Sequence, residues 1–214
     1  MKKMYKAMAL VLCAILLVVG SVMGTLAYLK SQTATISNVM TVGKVDITLS
    51  ESVVNEYGVA TSDKIVATKD GVLGGPNSYK LIPGRTYTKD PIVTLKAGSE
   101  ACYLFVKVTD GIVNIEKSEP ASGSQAAVLN IAEQMTKNGW TQMNGTDVWY
   151  KHIAQVTSVD TPHQVFASFT IKGDAAVANY SNATIDITAY AVQAEGFDNA
   201  KAAWDASGFG TTNP

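Results

Sequence analysis

The side chains that could act as nucleophiles, bases or zinc ligands are few and scattered. His152 and His163 lie eleven positions apart, and neither belongs to an H-E-x-x-H helix, the arrangement that holds zinc beside a glutamate base. We interpret His152 as a strand residue and His163 as a solvated loop residue. Cys102 lies in an apolar run, which favours a buried small hydrophobe over a nucleophile. The spacing therefore predicts no catalytic centre, no metal site and no cofactor.

Motifs for phosphate, acyl-transfer and calcium chemistry are also missing from the sequence. It contains no Walker loop, no G-x-S-x-G and no G-x-G-x-x-G. Asp63, Asp70 and Asp90 lack the alternating acidic pattern of a calcium-binding loop, so we expect solvated carboxylates. A chain without converging titratable residues is expected to bind or build something rather than to transform a substrate.

The composition restricts the class of protein. The chain has 214 residues, a net charge of -1, 47% hydrophobic and 16% charged residues, which excludes a disordered tail, a polybasic nucleic-acid binder and a polytopic membrane protein. Residues 1–27 combine three early lysines, an apolar run and small residues at Thr25 and Ala27. This pattern predicts a signal peptide cleaved before Tyr28, with an uncleaved membrane anchor as the alternative.

Cleavage would leave a mildly acidic exported domain. Residues 28–214 carry 14 basic and 18 acidic side chains, a net charge of -4, and Cys102 as their single cysteine. An intramolecular disulfide is therefore impossible, but a domain of this length can bury enough apolar surface to fold without one. We expect a secreted protein of the extracellular matrix or cell surface, with no nucleic-acid site and membrane contact only through the uncleaved leader.

The mature chain is predicted to be all-β. Short apolar or alternating runs bounded by turn residues indicate strands at 45–49, 91–95, 103–108, 148–153, 165–171 and 185–192. The run at 103–108 is apolar on both faces and is predicted to be central. We expect one domain over 28–214, a jelly-roll-like β-sandwich with one or two inserted short helices, with an immunoglobulin-like strand order as the second choice.

Three segments depart from the strand pattern. Residues 124–138 have helical spacing with Ser124 as a candidate N-cap, and a shorter helix is predicted at 198–206 with Ala203 and Trp204 buried. Residues 51–80 are rich in glycine and are interpreted as a long surface excursion around one short strand at 65–67. Residues 207–214 are expected to fray.

The segment that follows the predicted cleavage site is rich in β-branched and hydroxyl residues and holds no acid before Asp46. Ala34 and Ile36 share one face of an extended chain. One interpretation makes these residues the first strand of their own sandwich. The other makes residues 28–37 a donor strand that adds to the exposed sheet edge of another subunit. Such a head-to-tail interface does not close and would propagate as a fibre.

Several stretches resemble the TasA/camelysin family of exported Gram-positive proteins, which a SipW-type signal peptidase processes. They are 24–29 (GTLAYL), 38–49 (NVMTVGKVDITL), 81–93 (LIPGRTYTKDPIV), 102–108 (CYLFVKV) and 187–197 (ITAYAVQAEGF). The resemblance implies a jelly-roll subunit that forms extracellular biofilm-matrix fibres by donating its N-terminal strand. It implies processing at Thr25, Ala27 and Tyr28, and an assembly strand that includes Tyr28, Leu29, Ser31, Thr33, Ala34 and Ile36.

The implied partners are further copies of the chain, the SipW-type peptidase and other matrix proteins. The lengths of the 51–80 insert and of the 124–138 helix depart from the family pattern, and the family also contains accessory members. Two other functions therefore stay open. One is an accessory or minor matrix or adhesion protein that binds a ligand through the loop at 68–79, and the other is a camelysin-like cell-surface metalloprotease.

Overall fold

A computed structural model describes residues 4–6, 8–17, 43–66, 77–154 and 158–210. The predicted cleavage site at Thr25, Ala27 and Tyr28, the whole assembly strand and Asp70 lie outside the described residues. The chain divides into two compact units, residues 1–41 and 42–214. In the first unit, residues 4–6 and 8–17 are helical (α1) with exposed side chains. None of the helices among the described residues has the length and apolar character needed to cross a membrane.

The second unit is built mainly from antiparallel strands. In chain order the described strands are β1 Ile47–Val54, β2 Ala60–Val66, β3 Thr86–Thr88, β4 Ile92–Leu95, β5 Cys102–Asp110, β6 Thr141–Gln142, β7 Val148–Ile153, β8 Thr161–Gln164, β9 Ser168–Thr170 and β10 Ile185–Gln193. One four-stranded sheet has the order β2-β1-β4-β8 and the other has the order β10-β5-β7-β6, while β3 and β9 form a short ribbon. The expected all-β class is confirmed.

Strand β5 is central, as predicted, because both of its faces are covered. Leu104 and Val106 point into the larger core, whereas Phe105 points into a smaller core on the opposite face. All three side chains are fully buried. Successive residues of a strand point to opposite faces, so a run that is apolar at nearly every position indicates a strand packed on both sides.

The larger core joins both sheets and the β3–β9 ribbon. Leu49, Val93 and Leu95 come from one sheet, and Leu104, Val106, Val108 and Ile187 come from the other. Tyr87 of β3 stacks on Phe169 of β9 with ring centroids 5.1 Å apart and planes 14° apart. Each such buried side chain contributes about 1.5–3 kcal/mol of transfer free energy, so this shared core holds the two sheets together.

Short helices flank the strands. Helix α2 is Ile131–Lys137 and begins with a reciprocal capping box between Asn130 and Glu133, and a 3₁₀ helix covers Val177–Tyr180. The predicted helix at 124–138 therefore starts later than expected. The Ser122–Gln125 bridge turns the chain before it, so Ser124 is not the cap. Helix α3, Ala200–Ser207, buries Ala203 and Trp204 as predicted.

The stretch at 51–80 differs from the expected excursion. Strand β1 continues to Val54, and β2 returns beside it as an antiparallel hairpin whose register pairs Glu51 with Ile65. The Asn55 side-chain oxygen closes the turn by accepting from the Tyr57 and Val59 backbone N–H groups, both at 3.0 Å. Polar residues on the exposed face of β2 hide this hairpin in the sequence.

Three further expectations need correction. His163 lies in strand β8, paired with Val93, and not in a solvated loop. The predicted strand at 165–171 is limited to β9, although Val165 and Phe166 are fully buried outside it. At the C-terminus Ser207 ends α3 rather than beginning a frayed tail, and residues 211–214 lie outside the described part.

Candidate functional site: the outer edge of β10

Strand β10 ends its sheet, and its outer edge faces away from β5. Two hydrogen bonds fix which backbone groups point outward: Gly111 N–H donates to Thr184 O at 2.9 Å, and Ala194 N–H donates to Ala101 O at 2.8 Å. Because antiparallel pairs alternate, even-numbered residues direct their N–H and C=O groups toward β5. The odd-numbered residues from 185 to 193 therefore present theirs at the outer edge. No backbone group in the described part of the chain hydrogen-bonds to them.

A cleft of about 980 Å³ lies beside the first half of this edge. Most of its apolar lining comes from three segments, with Ile112 and Phe169 added from elsewhere. The three are β10 with Ile185 and Ile187, the 3₁₀ helix with Val177 and Tyr180, and the stretch before β3 with Tyr79 and Leu81. The volume is at the upper end of the roughly 300–1,000 Å³ typical of ligand pockets. A cleft bounded by an unpaired strand edge can receive both the backbone and the side chains of an extended peptide.

The larger core is incompletely covered along this side. Ile185, Ala189 and Ala191 of β10 pack against that core, as do Leu81 and Tyr180, yet each of the five keeps part of its surface exposed. By contrast Ile187, in the same row, is only 6% exposed. Apolar surface that remains in contact with water can be buried by an added strand, with a gain of about 25 cal/mol for each Å².

A buried ion pair also lines the cleft. Lys89 Nζ lies 2.9 Å from Glu51 Oε2, and the two side chains are only 7% and 2% exposed. The other Glu51 oxygen accepts from Asn77 Nδ2 at 2.9 Å. Burial, with the charge of Glu51 in second place, raises the pKa of Tyr79 well above its ordinary value. The cleft thus combines apolar walls with one desolvated, hydrogen-bonded charge pair.

The residues considered for chemistry do not meet. Cys102 is buried in β5, and burial raises the pKa of its thiol to about 11, which keeps it protonated and inert. His152 is exposed on β7 beside Tyr103, with ring centroids 4.9 Å apart. His163 belongs to the other sheet, where burial first and Lys151 second lower its pKa, and its Nε2 has no partner. Among the described residues, no three His, Cys, Asp or Glu side chains are grouped to hold a metal ion.

The candidate calcium ligands are separated as well. Asp90 accepts hydrogen bonds from the Ser52 backbone N–H and hydroxyl, both at 2.8 Å, and so ties the residue before β4 to β1. Asp63 lies on the exposed strand β2, and Asp70 lies outside the described residues. Asp90 therefore has a structural role rather than that of a solvated loop carboxylate.

Sequence reasoning missed two buried polar groups. The first is the Glu51–Lys89–Asn77 set, whose only sequence signal is that Glu51 shares the inward parity of Leu49 on β1. The second is a carboxyl pair, in which burial and the nearby charge of Asp110 raise the pKa of Glu116 to about 8. Glu116 Oε1 accepts from the Ile131 backbone N–H at 2.8 Å at the start of α2. No sequence pattern indicates that pair.

Comparison with known proteins adds nothing to this geometry: no family model, no curated protein and no solved structure matches the chain.

Proposed function

We propose that this chain is an exported, non-enzymatic structural protein that polymerises by strand addition. In this proposal residues 28–37 of one copy add to the outer edge of β10 in the next copy. The observation that carries it is the nine-residue edge of β10 beside an apolar cleft, to which no strand of the described residues pairs, because edge strands of monomers are normally shortened, charged or covered.

The proposed donor matches the acceptor in length and in pattern. Nine residues of β10 span about 30 Å at the usual rise of a strand, and the ten residues of the donor segment cover a similar length. Alternate donor side chains, Ala34 and Ile36 among them, would enter the cleft against Ile185 and Tyr180. The donor backbone would pair with the N–H and C=O groups of the odd-numbered residues of β10. Affinity would come from the backbone, and selectivity would come from the cleft.

The resemblance to the TasA/camelysin family supports the same function. It implies jelly-roll connectivity for the two sheets, SipW-type cleavage at Thr25, Ala27 and Tyr28, and location in an extracellular biofilm matrix. Cleavage would release the donor terminus, so export and assembly would be coupled. A donor at one end and an acceptor at another make a heterologous interface that extends without closing.

The decisive experiment compares three forms of the protein by size-exclusion chromatography and negative-stain microscopy. The first begins at Tyr28, the second keeps extra residues before Tyr28, and the third lacks residues 28–37. We expect fibres from the first form alone, with the other two remaining folded monomers by circular dichroism. Fibres from the form without residues 28–37 would contradict the donor assignment. Monomers from all three would favour an accessory or adhesion role for the same cleft.

A further inference from the structure

Glu51, Lys89 and Asn77 form a continuous hydrogen-bonded set that the strand-addition proposal does not use. The Glu51 carboxylate lies between the other two, with Oε2 at 2.9 Å from Lys89 Nζ and Oε1 at 2.9 Å from Asn77 Nδ2. Glu51 lies in β1, Lys89 directly follows β3, and Asn77 lies in the segment before β3. An amine, an amide and a bridging carboxylate thus converge at one desolvated point.

We propose that Lys89 and Asn77 are joined by an intramolecular isopeptide bond that forms spontaneously, with Glu51 relaying the proton. Glu51 first takes a proton from the Lys89 ammonium group, which frees the Nζ lone pair. Nζ then attacks Asn77 Cγ, so that the Nζ–Cγ bond forms and the Cγ–Nδ2 bond breaks. Glu51 passes the proton to Nδ2, which leaves as ammonia, and then takes the second proton from Nζ. The new amide therefore keeps one N–H, and Glu51 ends as a neutral carboxylic acid. No oxidant, reductant or external reactant is needed.

Each polar contact of Asn77 suits this reaction. Its Nδ2, the leaving nitrogen, is the atom that touches Glu51, the group that must protonate it. Its Oδ1 accepts from the Val54 backbone N–H at 3.0 Å, a donor fixed by strand β1. That donor would stabilise the negative charge that develops on the oxygen during attack. A second bond from Nδ2 to Ser52 O, at 2.9 Å, holds the amide plane in place.

The reacting pair is enclosed by apolar side chains. Lys89 and Glu51 are 6% and 2% exposed, and the cleft that they line also contains Tyr79 and Phe169, whose rings meet edge to face at 5.3 Å. In an apolar enclosure, proton transfer from the ammonium group to the carboxylate removes two buried charges. The other ion pairs of the described residues, such as Lys96–Asp160 and Lys201–Asp205, are partly exposed at both members. They lack this enclosure.

The cross-link would fix one wall of the cleft. It would tie residue 77, just before the lining residues Tyr79 and Leu81, to the residue that follows β3. This inference is independent of strand addition, because a cross-linked chain could be a monomer and a fibre could form without the bond. Either proposal can therefore be disproved without disproving the other.

Mass spectrometry of the denatured, exported wild-type protein tests the proposal. We expect an intact mass lower than the calculated mass by one ammonia, and a proteolytic peptide pair joined through Lys89 and Asn77. Lys89→Arg and Glu51→Gln should each restore the full calculated mass. A matched control, Lys96→Arg, changes a partly exposed ion pair and should keep the ammonia deficit.

Two results would overturn the proposal. One is separate, unmodified peptides containing Lys89 and Asn77 in the wild-type protein. The other is loss of ammonia confined to the Asn77 peptide while the Lys89 peptide is free, since Asn77 precedes Ser78 and could instead cyclise to a succinimide. Both results come from the wild-type peptide map, so the test holds even if a variant fails to fold.

Discussion

The outer edges of β10 and β8 occupy equivalent places at the ends of the two four-stranded sheets, but only β8 carries the usual protection against pairing. Strand β8 has four residues and contains Pro162, which has no N–H to offer. Strand β10 has nine residues, one charged side chain, Asp186, and an apolar cleft beside it. The opposite end of the β8 sheet, strand β2, is almost wholly exposed and carries Asp63 and Lys64. Within the described residues, one sheet therefore has protected outer strands, whereas the outer edge of β10 has no pairing strand.

Making β10 resemble β8 should have the largest effect. Ala189→Pro removes an outward-facing N–H without removing a bond to β5, because residue 189 directs its backbone away from β5. We expect a folded monomer that forms no fibres, measured by microscopy and sedimentation. Ala189→Ser is the matched control, since it changes the side chain and keeps the N–H. Normal fibres from Ala189→Pro would show that this edge is not the acceptor.

Side chains at central positions of the sheet should stabilise mainly the monomer, whereas those at the β10 edge should stabilise mainly the fibre. Leu104→Ala in β5 creates a cavity in a fully covered core and should lower the free energy of unfolding of the monomer by about 2–5 kcal/mol. Ile185→Ala, at a half-covered edge position, should cost the monomer only about 1 kcal/mol but should weaken fibres further. Chemical denaturation measures the effect of each variant on the stability of the monomer, and depolymerisation measures its effect on the stability of the fibre. Equal losses in the two assays for Ile185→Ala would contradict the strand-addition site.

Two buried titratable groups should respond to pH in opposite directions. Burial and the charge of Asp110, the last residue of β5, raise the pKa of Glu116 to about 8, so its contribution is complete below pH about 4.5 and is lost as pH rises toward 8. Burial lowers the pKa of His163 on β8, so its contribution is complete above about pH 6.5 and is lost as pH falls through its folded value. Glu116→Gln should therefore reduce the loss of stability between about pH 4.5 and 8 in thermal melts. It should leave the acid loss due to His163 intact, and an unchanged loss between about pH 4.5 and 8 would contradict the assignment.

The smallest effect is expected on the face of β10 that is already covered. Helix α3 packs on β10 through Trp204, whose ring lies 5.4 Å from that of Tyr190. Its exposed Lys201–Asp205 pair lies on the solvent side. Lys201→Ala should cost no more than about 0.5 kcal/mol by thermal denaturation and should not change fibre yield. A larger loss would mean that the ion pair, and not Trp204, holds α3 on the sheet.

Local patterns in the sequence were enough to predict the elements in which the buried positions are occupied by apolar residues. Strand β5 was predicted because its apolar residues occupy both faces, and α3 was predicted from the spacing of Ala203 and Trp204. The β1–β2 hairpin was missed for two reasons: β2 is polar on its exposed face, and Glu51 of β1 is charged but points inward. A buried charge looks like a surface residue until its partner, Lys89, is brought to it by the fold.

The candidate site could be predicted only in part. The run at 185–192 reads as a strand, but whether its outer edge is free depends on the order of strands in the sheet, which no local pattern encodes. The proposed donor segment, residues 28–37, is inferred from its composition, and its residues lie outside the described part of the chain. The cleft arises where the stretch before β3 meets the 3₁₀ helix, at a sequence separation of about a hundred residues.

The buried thiol of Cys102 is a built-in probe of how often the sheet that contains β5 opens. It is the single cysteine after the predicted leader, it is fully buried in the central strand, and its pKa is raised to about 11. A thiol-specific reagent can therefore label residues 28–214 only when the sheet that holds β5 opens. The labelling rate would report the frequency of that opening in a free subunit and in an assembled one, without any engineered probe.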